Sequence, residues 1–374
     1  MDNTVLSWAE IDLGAIRSNL AGIRSLLAPS TRLMAIVKAN AYGHGMLEVA
    51  RVCLAAGATY LGVANPHEAL TLREEGIKAQ ILVLGYMPEA SADSMVENCI
   101  DATVFELDTA VALSQAAVRA NGEARVHLKI DTGMGRIGLQ PDDAAIELIR
   151  EIALLPGIFI QGIFSHLATA DYADKSFARQ QFQVFQKFVA RLETAGISIP
   201  LKHLANSAAI MEMPETHLDM VRAGIITYGL YPSDEVDKSK LAIIPAMRLK
   251  SRITLVKSIP AGQSVSYGRT YISKQETKVA TVPIGYADGY SRLLSNRSWA
   301  VIKGHKVPLI GTVCMDQCMF DVSGLEEVQV GDEVILFGTP EDGVTADDLA
   351  HILGTINYEI VCAPSSRIVR IYVE

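Results

Sequence analysis

Short apolar, β-branched runs alternate with stretches of helical periodicity through the first 240 or so residues. Eight of these runs predict strands, at 33–37, 61–64, 81–84, 102–105, 125–130, 159–165, 201–205 and, only two residues long, 220–221. Between them the clearest helix runs from 177 to 192. There Phe182, Phe185, Val189 and Leu192 recur at i, i+3 and i+4 spacing, while Arg179, Gln183, Gln186 and Lys187 fill the other faces. An aromatic stripe of this kind packs a helix against a sheet. Eight strand–helix units predict a TIM barrel. A doubly wound open sheet is the alternative, but no Gly-x-Gly-x-x-Gly turn follows an early strand. Gly133 and Gly135 are a lone pair.

The pattern changes after the polar segment 232–240, which reads as a linker. Short alternating runs marked by glycine and proline follow, at 247–259, 278–283, 299–302, 307–310, 319–322 and 333–337, with one helix over 345–354. The expected architecture is therefore an α/β TIM barrel over 1–240 followed by a mostly β domain over 241–374, with a first strand at about 1–13 available to pack with the latter.

Composition removes several classes of function. A net charge of −9 leaves no basic stripe to neutralise phosphates, so nucleic acid is not an expected partner. No run is apolar for the ~20 residues of a membrane span, and Met1-Asp2-Asn3-Thr4 lacks the basic and apolar parts of a signal peptide. Cys53, Cys99, Cys314, Cys318 and Cys362 are odd in number and dispersed, as expected for reduced thiols in the cytoplasm. Cys314 and Cys318 lie four apart without further ligands at zinc-site spacing, so no metal is expected.

Catalytic residues of such barrels lie at the C-terminal strand ends. Here those ends carry Lys38, then Lys129 with Asp131, His166, Asn206-Ser207, and Arg222. A lysine at a strand end beside a small-residue loop, Ala39-Asn40-Ala41-Tyr42-Gly43-His44-Gly45, suits Schiff-base chemistry, because partial desolvation favours the neutral, nucleophilic amine. The last two loops, Asn206-Ser207-Ala208 and Ala223-Gly224-Ile225, offer a hydroxyl and close backbone approach where barrels bind phosphate. A phosphorylated ligand with a strand-end lysine points to pyridoxal 5′-phosphate (PLP). Barrel aldolases that use a lysine without a cofactor satisfy the same residues. In the second domain, Val265-Ser266-Tyr267-Gly268-Arg269-Thr270-Tyr271, the segment from Ile284 to Tyr290 and the segment from Gly311 to Gln317 read as glycine-marked turns.

These motifs together resemble the bacterial alanine racemases. The resemblance takes in Trp8-Ala9-Glu10-Ile11-Asp12-Leu13, the segment from Ala35 to Gly45, the segment from Lys129 to Gly138, His166, Asn206-Ser207, Arg222 to Ile225, Ser266-Tyr267-Gly268, the segments from Ile284 to Gly289 and from Val313 to Gln317, and Asn357-Tyr358-Glu359-Ile360. It covers nearly the whole chain in order. It implies a PLP-dependent isomerase, with alanine the expected substrate and with D-alanine supplied for peptidoglycan. Serine- and lysine-preferring members share the fold.

By the same resemblance, Lys38 holds PLP and serves one face of Cα, and Tyr267, delivered by the partner subunit of a homodimer, serves the other. Tyr42, His166, Asn206, Ser207, Gly224, Ile225 and Tyr358 surround the cofactor, and Arg222 faces its ring nitrogen, held there by His166. Arg136 lies beside the cofactor's phenolic oxygen and the substrate carboxylate, oriented by Lys129, which many members carry as a carbamate. Met315 offers a backbone N–H to that carboxylate, and Tyr286 and Asp316 line the entrance. A barrel-type PLP decarboxylase would place an acid where Arg222 stands. A PLP-binding homeostasis protein would lack the β domain and Tyr267.

Overall fold

A computed structural model describes residues 4–374. Met1, Asp2 and Asn3, on which most of the signal-peptide expectation rests, lie outside the described residues. In chain order the strands are β1 (Ser7–Asp12), β2 (Arg32–Ile36), β3 (Tyr60–Val63), β4 (Gln80–Val83), β5 (Asp101–Val104), β6 (Ala124–Lys129), β7 (Ile158–Phe164), β8 (Leu201–His203), β9 (Met220–Ala223), β10 (Met247–Arg252), β11 (Leu255–Ile259), β12 (Ser264–Val265), β13 (Tyr271–Ile272), β14 (Thr277–Val282), β15 (Trp299–Ile302), β16 (His305–Pro308), β17 (Cys318–Asp321), β18 (Glu333–Phe337) and β19 (Val369–Val373).

Strands β2 to β9 close into one parallel barrel, with β2 paired to both β3 and β9. The eight expected strands are all present. Six of them begin one residue earlier than the apolar pattern suggests, at Arg32, Tyr60, Gln80, Asp101, Ala124 and Ile158. Most of these first residues are polar or aromatic. Parallel pairing recruits them through the backbone, as in Tyr60 opposite Met34 and Asp101 opposite Leu82. The helix expected over 177–192 spans Ser176–Thr194 and buries Phe182, Phe185, Phe188 and Leu192. Phe188 takes the place expected of Val189, which is half-buried. Each buried phenylalanine contributes roughly 1.5–3 kcal/mol through area removed from water.

Two compact units divide the chain. The barrel unit comprises 17–41 and 46–243, and the other comprises the segment ending at Ile16, residues 42–45 and 244–374. In the second unit β1 lies within a six-stranded sheet of order β16-β15-β18-β10-β1-β19, antiparallel to β10 and parallel to β19. A three-stranded sheet, β11-β14-β17, and the hairpin β12-β13 complete its strands. The single run expected over 247–259 is two strands, because the chain changes sheet at its middle. Ile253 N–H donates to Asp332 O, beside the six-stranded sheet, and Thr254 N–H donates to Thr281 O in the three-stranded one. The strand expected at 307–310 is β16, displaced toward the N-terminus so that His305 pairs with Ile302 across a tight turn. Strands β12, β13 and β19 and the helix Asn357–Cys362 are too short or too polar for the pattern to reveal. No described helix is long and apolar enough to cross a membrane.

Candidate active site

The chain leaves β2 and enters a single left-handed turn. Ala39, Asn40, Ala41 and Tyr42 all have φ between 52° and 54°. Left-handed backbone costs about 1–2 kcal/mol per L-residue, so such a turn persists only where its surroundings fix it. Glu68 does much of this, accepting Ala39 N–H at 2.8 Å and Ala64 N–H at 2.7 Å. The Asn40 side chain accepts Met46 N–H at 2.9 Å. Gly43 is required by close approach, since a Cβ there would stand 2.0 Å from the Val361 carbonyl oxygen. Lys38 opens this turn and is half-buried. At its far end the Tyr42 ring lies 6.0 Å from that of Tyr358. Burial, and then the Cys362 thiol, push the Tyr42 phenol above its ordinary range, so it stays a neutral hydrogen-bond donor.

Lys129 ends β6 and is 3% exposed. Its Nζ donates to Ile130 O at 2.8 Å and lies 5.4 Å from the Phe164 ring centroid. Burial, with Arg222 and Arg136 nearby and only Asp131 opposing, brings its amine down to about 7. Asp131 is itself engaged, accepting the N–H groups of Gly133 and Gly135, and this closes the loop that carries Arg136. Arg136 is exposed.

Arg222, on β9, is 4% exposed. Its Nη2 donates to Ser165 O at 2.8 Å and Leu204 O at 2.9 Å and lies 3.2 Å from His166 Nδ1. Its Nη1 lies 3.1 Å from Nδ1 of His203. A guanidinium only donates, so both imidazole Nδ1 atoms are acceptors. Among the described residues no carboxylate reaches Arg222 directly. Burial, then Arg222, Arg136, Lys129 and Lys38, hold His166 neutral, which places these four cations around one imidazole. Buried Gln181 anchors the His166 loop, donating to His166 O at 3.1 Å and accepting Ala168 N–H at 2.8 Å.

Asn206 caps the following helix, accepting Ala209 N–H at 3.1 Å, so Ser207 stands at its first turn. The buried Ser207 hydroxyl accepts Gly224 N–H at 3.0 Å and thereby joins the β8 and β9 loops. Ile225 follows, fully buried.

In the β unit, Tyr267 is 68% exposed, yet its backbone is pinned. The Thr312 hydroxyl donates to Tyr267 O at 2.9 Å, and Ser266 Oγ donates to Thr312 O at 2.5 Å. Ser266 has φ 66° and ψ −174°, a region nearly exclusive to glycine. Cys314 lies at this turn, with Sγ 3.3 Å from Ser266 Oγ, while Cys318 is fully buried in β17. The two other glycine-marked loops cross, with Tyr286 N–H donating to Cys314 O and Ala287 N–H to Met315 O. Tyr286 and Met315 are exposed, and Asp316 pairs with Arg367 at 2.8 Å.

The barrel thus brings Lys38, Lys129, Arg136, His166 and Arg222 to one end, with Ser207 and Gly224 joined at the last two loops. Tyr267, Tyr286, Met315, Asp316, Tyr42 and Tyr358 belong to the other unit. Glu68, Gln181, Phe164 and His203 carry the site and were not singled out from sequence. His203 had a legible signal, because a histidine inside a predicted barrel strand must find a buried partner.

The alanine racemase N-terminal domain model matches residues 11–232 and the alanine racemase C-terminal domain model matches 246–372. An alanine racemase of Desulforamulus reducens is 51% identical over 366 residues, covering 98% of each chain. The structure of alanine racemase from Clostridium difficile 630 superposes with a TM-score of 0.97 at 43% identity, over 100% of this chain and 97% of that one. That of the Bacillus anthracis alanine racemase with bound L-Ala-P does so with a TM-score of 0.93 at 35% identity, over 99% and 95%. Two family models that span barrel and β domain in order, with near-complete coverage at this identity, place the chain in the alanine racemase family, whose members are amino-acid isomerases.

Proposed function

We propose that this protein interconverts L- and D-alanine with PLP as its cofactor. The donor set fits that group. Lys38 supplies an amine, Ser207 and the backbone at Gly224 and Ile225 supply phosphate-binding groups with Asn206 shaping the loop, and Arg222 is a buried donor with no direct carboxylate. Tyr42 and His166 complete its surroundings. When bound, PLP supplies an electron-withdrawing ring conjugated to the substrate nitrogen, which acidifies the Cα–H bond.

The chain's residues then have distinct tasks. Lys38 moves a proton to and from one face of Cα. Tyr267 does so on the opposite face, because a single base returns the proton to the side it left. The observation that carries the reading is this second group, an exposed phenol on a strained, hydrogen-bonded turn in the unit that does not hold Lys38. We assign Tyr267 to the partner's site in a homodimer. Arg136 and the Met315 backbone bind the substrate carboxylate, Tyr358 and Tyr286 limit side-chain volume, and Asp316, tied to Arg367, lines the entrance. L-alanine incubated with the PLP-loaded protein in deuterated water is expected to yield D-alanine carrying α-deuterium. PLP binding without D-alanine would overturn the reading. Serine and lysine assayed alongside separate alanine racemisation from a broader specificity.

Lys129 cannot orient Arg136 as an ammonium, because both groups are then hydrogen-bond donors. Carbon dioxide added to the neutral amine, with loss of a proton, gives a carbamate that accepts from the guanidinium. An amine that titrates near 7 is available for this at neutral pH, and less so below. Intact-protein mass spectra are expected to show one added carbon dioxide above pH 7 and its loss on acidification. An unmodified Lys129 at pH 8 in bicarbonate would count against the assignment.

A further inference from the structure

Polar side chains run through the barrel interior well below Arg222. His203 Nε2 lies 3.0 Å from His127 Nδ1, and His127 Nε2 lies 3.3 Å from Asp101 Oδ2, which also accepts from the Tyr60 hydroxyl at 3.1 Å. These contacts link β8 to β6, β6 to β5, and β5 to β3. Two of the links skip an intervening strand, so the side chains meet inside the barrel. His127, His203 and Tyr60 are fully buried and Asp101 is 2% exposed. The backbone makes room for the chain, since a Cβ on Gly162 of β7 would fall 2.3 Å from His127 Nδ1.

Donor and acceptor chemistry gives the chain one direction. Arg222 donates to His203 Nδ1, so neutral His203 carries its hydrogen on Nε2 and donates to His127 Nδ1. His127 then carries its hydrogen on Nε2 and donates to the Asp101 carboxylate. Reversing His203 sets two donors against each other at Arg222, and reversing His127 alone does so between the two imidazoles. We propose that Asp101 is the buried counter-anion of Arg222 and a positioning residue, fixing the guanidinium as a charged donor through two neutral, Nε2-protonated histidines. This rests on the reading that Arg222 faces the PLP ring nitrogen.

The charges at both ends agree. Burial and the neighbouring Arg136 pull Arg222 down to about 9, so its cationic form needs an anion. Burial and Arg222 keep His203 well below its ordinary range, hence neutral. At the opposite end of the barrel, Arg32 and Arg125 bear on Tyr60, and Asp101 bears on Arg73. Asp101 also borders a cavity of about 130 Å³ lined by Met95, Cys99, Ile100, Glu123 and Arg125.

Histidine-selective ¹⁵N NMR tests the assignment with and without PLP. In the parent protein both His127 and His203 are expected as Nε2–H tautomers. An Nδ1–H tautomer at His203 would overturn the proposal without any variant. Asp101→Asn keeps an acceptor for His127 but removes the charge. With Arg222 still setting both tautomers, it is expected to shift the ¹⁵N resonance of the bound cofactor's ring nitrogen and to lower kcat/KM about tenfold, the scale of losing a partner one shell out. Gly162→Ala, which crowds His127 but leaves Asp101 in place, is expected to move the same ring-nitrogen signal. Tyr60→Phe removes only one donor to Asp101 and is expected to leave tautomers and ring nitrogen unchanged. A folded Asp101→Asn protein with the parental ring-nitrogen resonance would refute the relay. Failure to bind PLP would refute the cofactor reading alone, since the histidine signals without PLP still decide the relay.

Discussion

Lys38→Ala is expected to lower kcat by at least about 10³–10⁴-fold, equivalent to roughly 4–5 kcal/mol of barrel-end chemistry, and to abolish the visible absorbance of the PLP-loaded protein. One side chain is asked both to hold the cofactor and to move a proton on one face of Cα. Nothing in the turn substitutes for it, because the residues that follow are alanine, asparagine and alanine. The fold should survive. Lys38 opens a turn whose shape is set by Glu68 and Asn40 through backbone N–H groups, and those contacts remain in the variant. Rapid-quench assays with absorbance spectra provide the check. A variant that kept its visible band and lost less than tenfold in rate would exclude Lys38 from both tasks.

Tyr267→Phe separates the two faces of the reaction. The ring stays, the turn keeps its Thr312 and Ser266 bonds, and a phenol that is 68% exposed contributes little to stability. Racemisation is expected to fall by about 10²–10⁴-fold. Enantiomers have equal free energies, so the loss in kcat/KM must be the same in both directions. Exchange of the α-hydrogen with solvent escapes that constraint, because it needs only the base on one side. One enantiomer is therefore expected to keep α-deuterium exchange through Lys38 without inversion, while the other loses it. Equal loss of exchange from both enantiomers would show that Tyr267 is not a face-specific base.

The same contrast explains what could be read from the chain. Eight βα units follow from local periodicity, and the strand ends at Lys38, Lys129, His166, Asn206 and Arg222 follow from knowing where each apolar run stops. Arg222 was legible as a polar strand end, but its environment was not. Its Nη atoms meet two imidazoles and two carbonyls, with Asp101 three hydrogen bonds away. Residues 101, 127, 203 and 222 lie on four strands of a closed barrel, and no local pattern relates them. Likewise, the break at Ile253–Thr254 is invisible in an apolar run that looks continuous. It arises because the two halves pair with different sheets.

The sequence by itself determined the barrel, the β-rich second domain and the residues that offer an amine, a phenol and phosphate donors. Those features depend on side-chain type and on spacings of two and 3.6 residues, which act over a few neighbours. Tertiary structure alone decided the left-handed turn at 39–42, the inclusion of β1 between β10 and β19, and the buried sequence of donors from Arg222 to Asp101. Each of these is unfavourable or undefined locally. The turn costs backbone energy, an isolated strand leaves its N–H and C=O groups unpaired, and a buried arginine needs an anion. Distant segments supply the compensation in all three, and only closing the fold brings them within hydrogen-bonding reach.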